Sequence, residues 1–556
     1  MISAEIYISF EKFFSKRKGN SMMKRNTLPE NEPFLILRDD GFSQYCGRDA
    51  ATASIEEFLE RNVGYLRDYP DVKVKLIGIG PGSVFAYDTK VGDVFMRDAS
   101  PLAQRICRPG DLAARDWIQK CIDTGSDGLN LMAKKCREIG VIPWARFEMN
   151  HEYGPVSEDN FTYAIFVGKF NKEHPEYRIP KPDGTPANYP FLDYKHKEVR
   201  DFKLAIIREV AEHDIDGIEL DFCVYPPFFF DPKADGHYMT DFIRSARQVL
   251  NEEGEKRGVY IDLAVRVEPD AQERLYMAWR DWVKEGLIDW IVPSYLRPNL
   301  TFGVPVEEFL KECEGTNCRV ATHIRIPCAR ITTDPNPNDI RSGLSGVKDR
   351  PVLPRRHYAR ALAGIKAGAN AVVLATSAGT MKKKGEQIWH PLLDTIANAD
   401  FLPHAEKEYF FDYLNKLPAE LTKEDNPFTH SVMIGDDPEN IEKATFVIHA
   451  RGLTALETVT LSVNGHEITL TEKELYWSPD DEPILPASSG TIRGYNRLHL
   501  ARIDRWWDIC KNEIDIPPSY LKCGKNTITL TYHIAEGGLT KRPLNVGDLA
   551  LVIQPK

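Results

Sequence analysis

Residues 215–222 read Ile-Asp-Gly-Ile-Glu-Leu-Asp-Phe. Ile218, Leu220 and Phe222 alternate with Glu219 and Asp221, the period-two pattern of a strand with one apolar and one acidic face. Just before it, residues 198–213 carry apolar side chains at helical spacing. The same grammar continues in both directions. Upstream it predicts strands at 34–41, 72–79 and 141–150, with a helix at 129–139 stopped by Gly140. Downstream it predicts helices at 238–253, 271–285, 306–313 and 355–366, and strands at 259–268, 288–295, 318–326 and 370–376. Strands alternating with helices argue for parallel βαβ units. Eight strands across 31–400 fit one (β/α)8 barrel, the α/β TIM-barrel class. A doubly wound open sheet is disfavoured. After the first strand, Arg38-Asp39-Asp40-Gly41 offers carboxylates where a nucleotide fold offers a Gly-rich phosphate loop.

The pattern changes near residue 419. Runs at 445–450, 459–470, 498–503, 526–532 and 549–553 alternate at period two, and Asn464-Gly465 is a hairpin signal. Residues 428–556 are therefore expected to form an antiparallel β-sandwich, with 401–427 as a charged helical linker. Residues 1–30 are expected to be a disordered or mis-annotated arm, because Met22-Met23 precede Lys24-Arg25 without a secretory pattern.

The chain has 556 residues and a formal net charge of −11. Without a basic block it is a poor nucleic-acid binder. Its longest mostly apolar run, 367–381, is too short and too interrupted for a membrane helix. The ten cysteines form no CxxC pair; the closest useful neighbours are Cys313 and Cys318. No cofactor motif is seen, and no metal-ligand spacing such as HxH joins His151 to His323. The expected location is cytoplasmic, or periplasmic or secreted if the start is misassigned. The oligomeric state is not readable.

In a barrel, outward strand residues meet helices and inward residues near the C-terminal ends line the site. Parity then turns Trp144, Arg146, Glu148 and Asn150 inward on the third strand. It does the same for Glu219 and Asp221 on the fourth, Asp262, Ala264, Arg266 and Glu268 on the fifth, and His323 and Arg325 on the seventh. For Arg146, Glu219 and Arg266, deeper in their strands, the competing reading is a buried ion-pair network that closes the barrel. Carboxylates at strand ends instead point to acid/base or nucleophilic work on a polar ligand. Tyr225 lies in the Pro-rich aromatic loop 223–230, with Tyr153 and Tyr295 near the same mouth; these rings could stack on a sugar, or the loop could pack on itself.

The 216–222 run, with Asp289-Trp-Ile-Val-Pro-Ser-Tyr295 two strands later, resembles the glycoside-hydrolase-like TIM barrels, the set of hypothetical bacterial glycosyl hydrolases. Their fourth strand typically reads DGI.LD and their sixth DFI.PQ.Y. The likeness covers about 34–400, and Ser294 stands where many relatives carry Gln. Residues 521–530, Leu-Lys-Cys-Gly-Lys-Asn-Thr-Ile-Thr-Leu, resemble the hairpin of galactose-binding-like sandwiches.

The resemblance implies hydrolysis of a poly- or oligosaccharide by two carboxylates. By analogy with alpha-amylase-like barrels, Asp221 would attack the anomeric carbon and Glu268 would donate the proton, with Glu148 and Glu219 in reserve; Asp221 and Glu268 are expected at equivalent heights on their strands, at a solvent-facing rim. Arg38, Asp40, Arg146, Asn150, His323 and Arg325 are expected to ring the pocket, joined by His151, Tyr225, Arg266 and Tyr295. The arginines favour an acidic or sulfated sugar. The alternatives are a non-catalytic carbohydrate-binding protein on a degenerate barrel and a metal-dependent barrel enzyme. The first is marked by carboxylates locked to Arg146 and Arg266.

Overall fold

The structure is a computed structural model. It describes residues 23–30, 32–39, 41–45, 50–152, 154–295, 302–325, 354–376, 390–411, 419–421, 427–451, 457–469, 474–475, 509–534 and 544–556. Eight strands, β1 (Phe34–Asp39), β2 (Val72–Pro81), β3 (Ile142–Glu148), β4 (Gly217–Asp221), β5 (Asp262–Val267), β6 (Trp290–Pro293), β7 (Arg319–Arg325) and β8 (Ala371–Thr376), close into a parallel barrel in chain order. β8 returns to β1 through Phe34↔Ala371 to Asp39↔Thr376. The expected TIM barrel is present. So is the expected parity: Ile218 and Leu220 join the large core between strands and helices.

The lumen has two halves. Its lower half is a separate apolar cluster that includes Phe34, Ile36, Leu76, Trp144, Ala264, Trp290, Ala321 and Val373. The two indoles meet edge to face at 6.0 Å, and Phe34 packs on Trp290 at 5.9 Å. Large side chains need small neighbours here, and Gly217 supplies one. A Cβ at Gly217 would lie 2.6–2.7 Å from three atoms of the Trp144 indole. Gly217→Ala should therefore lower stability by about 1–3 kcal/mol through overpacking. Urea unfolding checks this; an unchanged midpoint would mean that the indole moves aside freely.

Residues 23–30, placed by sequence in an arm without structure, run across the barrel floor. Leu28 enters the lower lumen cluster, and Lys24 exchanges backbone hydrogen bonds with Gly258 and Tyr260. Arg25 pairs with Asp262 and, at 3.0 Å, with Asp289. Arg247 and the Tyr260 hydroxyl also bind Asp289, each at 2.9 Å. Burial and the neighbouring Asp289 push the Asp262 carboxyl up to about 7, against the opposing pull of Arg25. A carboxyl whose folded-state pKa exceeds its unfolded value binds more protons in the folded state. Its contribution to stability therefore falls as pH rises from about 4 to about 7. Asp262→Asn removes that titration, so wild type minus variant should become less favourable to wild type across this window. Urea midpoints for both proteins at about pH 4.5 and 7.5 measure it; a pH-independent difference contradicts the assignment.

Beyond the barrel lie two antiparallel sheets. One orders Lys407–Phe410, Leu544–Pro555, Ile441–Arg451, Ile509–Ile516 and Glu474–Leu475, with Ala419–Leu421 also on Leu544–Pro555. The other orders Phe428–Ile434, Gly524–Ile534, Glu457–Val463 and His466–Thr469. The Asn464-Gly465 hairpin is present, with both residues at positive φ, as a tight two-residue turn requires. The described residues of segment 401–427 differ from the helical reading. Lys407–Phe410 and Ala419–Leu421 are strands because both pair with Leu544–Pro555, which satisfies their backbone, while Tyr409 and Phe410 bury against Phe302. The predicted strand at 498–503 lies outside the described residues. The barrel helix Pro354–Lys366 joins the two parts: Arg355 and Arg356 both bind Glu408.

Candidate active site

Above the apolar half, the lumen turns ionic. Asp221 ends β4, where parity points it inward, and it is 0% exposed. Its Oδ2 accepts from Arg38 Nη2 at 2.5 Å, Arg146 Nη2 at 3.0 Å and Arg266 Nη1 at 2.9 Å. Its Oδ1 accepts from Arg266 Nη1 at 2.8 Å and the Cys223 N–H at 3.1 Å. Burial alone would raise this carboxyl, but Arg266, Arg38 and Arg146 outweigh it and hold it well below the usual carboxylate range. Arg266 in turn donates to Ser294 Oγ at 2.9 Å and the Tyr295 carbonyl at 3.0 Å. Ser294 thus fixes a guanidinium here.

The expected rim position of Asp221 is corrected: it is a fully enclosed anion with every lone pair taken. The placement of Glu268 is corrected too. Asp221 registers with Arg266, and Glu268 lies two residues farther toward the mouth. Its side chain is 12% exposed and pairs with Arg274. Strand register, which single-sequence parity does not supply, sets both heights.

Glu148 ends β3 level with Asp221. Arg146 Nη2 donates to its Oε1, and its Oε2 contacts Nδ1 of His151. Burial would raise it, but Arg146 and His151 pull it down to about 2. His151 lies above it, with the Tyr225 ring edge-on at 4.7 Å. Glu219 sits two residues deeper, under Arg38 and Arg146 at 3.6 and 3.8 Å. Burial raises its carboxyl, and its Oε1 has no hydrogen-bond partner. For Arg146, Glu219 and Arg266 the ion-network reading holds: together with Arg38 and Asp221 they tie β1, β3, β4 and β5 together.

The remaining expected contacts divide. His323 lies in the network, 3.3 Å from Arg38 Nη1. Asn150 does not line the lumen: its amide donates to the Leu192 and Pro227 carbonyls and accepts from the Leu192 N–H, so it pins two loops. Tyr225 and Tyr295 are half-buried near the mouth. Part of the aromatic loop packs inward, with Phe228 against Phe222 and Tyr194, while Phe230 stays exposed. Asp40, Tyr153 and the side chain of Arg325 lie outside the described residues.

One buried cluster was missed. Lys203, 0% exposed, donates to the Gly82 carbonyl at 2.7 Å and lies 3.9 Å from Glu152, which accepts from Ser83 Oγ. Burial pushes Glu152 up to about 7 and Lys203 down to about 8. The signal was available: Lys203 sits on the stripe of Val199, Ile206, Ile207 and Val210, the apolar face of helix Lys197–Ala211. Among the described residues, no cluster of three or more His, Cys, Asp or Glu side chains could hold a metal ion, and no helix is long and apolar enough to cross a membrane.

No family model and no curated protein sequence matches the chain. The solved structures it resembles include glycoside-hydrolase barrels. The alpha-galactosidase of Thermus thermophilus is 13% identical, with TM-score 0.32, over 69% of this chain and 64% of that one. The multi-modular chitinase ChiW of Paenibacillus sp. is 10% identical, with TM-score 0.36, over 93% of this chain and 54% of that one. A methyltransferase from Methanosarcina mazei is 13% identical, with TM-score 0.35, over 67% and 94%. This chain therefore spans less than two thirds of either glycosidase, and hydrolase and methyltransferase score alike. At these values the likeness carries no argument about chemistry.

Proposed function

We propose that the chain is a glycoside hydrolase working at the C-terminal mouth of the barrel, with Glu148 and Glu268 as its reacting carboxylates. The observation that supports this reading is the sorting of four inward carboxyl groups by environment. Asp221 has no free lone pair, and Glu219 lies beneath the arginines. Glu148 is held ionised at the top of β3, and Glu268 reaches farthest toward the mouth. Glu148 suits the charged role, as nucleophile or as base toward water, and Glu268 the proton donor to the departing oxygen. Tyr225 and Tyr295 beside the mouth offer faces for a sugar ring. Arg38, Arg146 and Arg266 are engaged by Asp221, so they give no reason to prefer an acidic or sulfated substrate over a neutral one.

A second reading has its own support. Asp221 locked by Arg146 and Arg266 is the feature expected of a degenerate barrel that binds carbohydrate without cleaving it. Incubating the purified chain with aryl glycosides and a panel of neutral and uronic oligosaccharides separates the two, with sugar release and calorimetric binding followed together. Release supports the hydrolase; binding without release supports the second reading; neither result contradicts both.

A further inference from the structure

Helix Val306–Cys313 ends on one cysteine, and β7 begins just after another, Cys318. The intervening turn is closed locally. The Thr316 N–H and Oγ1–H both donate to the Cys313 carbonyl, at 3.0 and 2.8 Å, and the Cys318 N–H donates to Thr316 Oγ1 at 3.2 Å. This brings the side chains together: the Cys318 thiol, which donates to the Arg319 carbonyl at 3.8 Å, lies beside the Cys313 sulfur. Both thiols are largely buried, yet both line a cavity of about 680 Å³ that opens at the barrel floor beside Lys311, Arg319 and Asn370.

We infer that Cys313 and Cys318 form a redox-modification site, a dithiol that a hydroperoxide converts reversibly to an intramolecular disulfide. The Cys313 sulfur attacks the peroxide oxygen, the O–O bond breaks, and Cys313 sulfenic acid and one water result. The Cys318 sulfur then attacks the sulfenic sulfur and expels a second water, leaving a disulfide. Two thiols are oxidised and, with hydrogen peroxide as the hydroperoxide, one peroxide is reduced to two waters. A reducing thiol reverses the bond by exchange.

Reactivity follows thiolate character and access. The neighbouring Cys318 thiol lowers the Cys313 thiol, although burial and Glu312 oppose it. By contrast, burial raises Cys107, Cys121, Cys136, Cys223 and Cys523. Cys313 thus combines a lowered thiol pKa, a resolving partner across a closed turn and a cavity wide enough for a small oxidant. The site lies at the opposite end of the barrel from the proposed mouth and does not depend on the glycosidase reading.

The test uses the full chain, reduced, desalted and exposed to a small excess of hydrogen peroxide. It is then unfolded in N-ethylmaleimide and digested with trypsin. Cleavage after Lys311 and Arg319 releases both cysteines on one peptide, 312–319. The expected product is that peptide two hydrogens lighter, without maleimide, and restored to double alkylation by dithiothreitol. In Cys318→Ser, Cys313 should accumulate as a sulfenic acid that dimedone traps. Double alkylation of the peptide at a dose that oxidises the exposed Cys523 overturns the proposal. So does a Cys318→Ser protein in which dimedone labels other cysteines but not Cys313.

Discussion

Asp221→Asn should cost about 3–5 kcal/mol of stability, the penalty for removing one partner from a buried ion pair. The variant keeps the shape of the side chain and loses its charge. Three guanidiniums, from Arg38, Arg146 and Arg266, then face a neutral amide in a lumen closed to water. The amide nitrogen also brings a donor to a position where every partner is itself a donor. Typical domains are stable by only about 5–15 kcal/mol, so a large part of the margin disappears. The expected result is poor recovery of soluble protein, or a melting midpoint lower by roughly 5–15 °C. Circular dichroism melts check it. Glu268→Gln, at the mouth, is the control and should shift the midpoint little. An Asp221→Asn protein that melts with wild type would show that Asp221 is not the anchor of the charged layer.

Glu148→Gln should lower kcat/KM on any glycoside that the parent cleaves by about 10²–10⁴-fold, the usual range for a general acid or base, and by more if Glu148 is a nucleophile. The physical reason is the loss of the strand-end carboxylate that Arg146 and His151 hold ionised, at about 2. Gln keeps an acceptor for Arg146, and Arg146 keeps Asp221 as its counter-ion, so folding should be largely retained. Glu268→Gln should lose as much on substrates with poor leaving groups and far less on activated aryl glycosides, which need little protonation. Steady-state rates on one substrate of each kind measure both variants.

The barrel was legible because the chemistry that makes it is local. Strand–helix alternation and strand parity follow from residues a few positions apart. They placed Glu219 and Asp221 on one face of β4 and Trp144 and Ala264 inside the lumen. Pairing was not legible. Arg38, Arg146 and Arg266 reach Asp221 from 183, 75 and 45 residues away, and only closure of the barrel brings them to one carboxylate. Nor does parity fix register, which is why Glu268 was set at the height that Arg266 occupies. Lys407–Phe410 was read as part of a helical linker for a related reason: its strand character comes from pairing with Ala550–Ile553, far along the chain. The arm at 23–30 owes its structure to Asp262 and Asp289 on the floor, not to its own sequence.

The central claim divides labour in the charged layer: Asp221 holds it together and Glu148 reacts. The most direct measurement is the hydrolysis rate per folded molecule of Glu148→Gln, taken with its melting curve, against wild type on a glycoside that wild type cleaves. The account predicts a melting midpoint close to wild type and a rate down by at least about a hundredfold. A folded Glu148→Gln that turns over near the wild-type rate would contradict it.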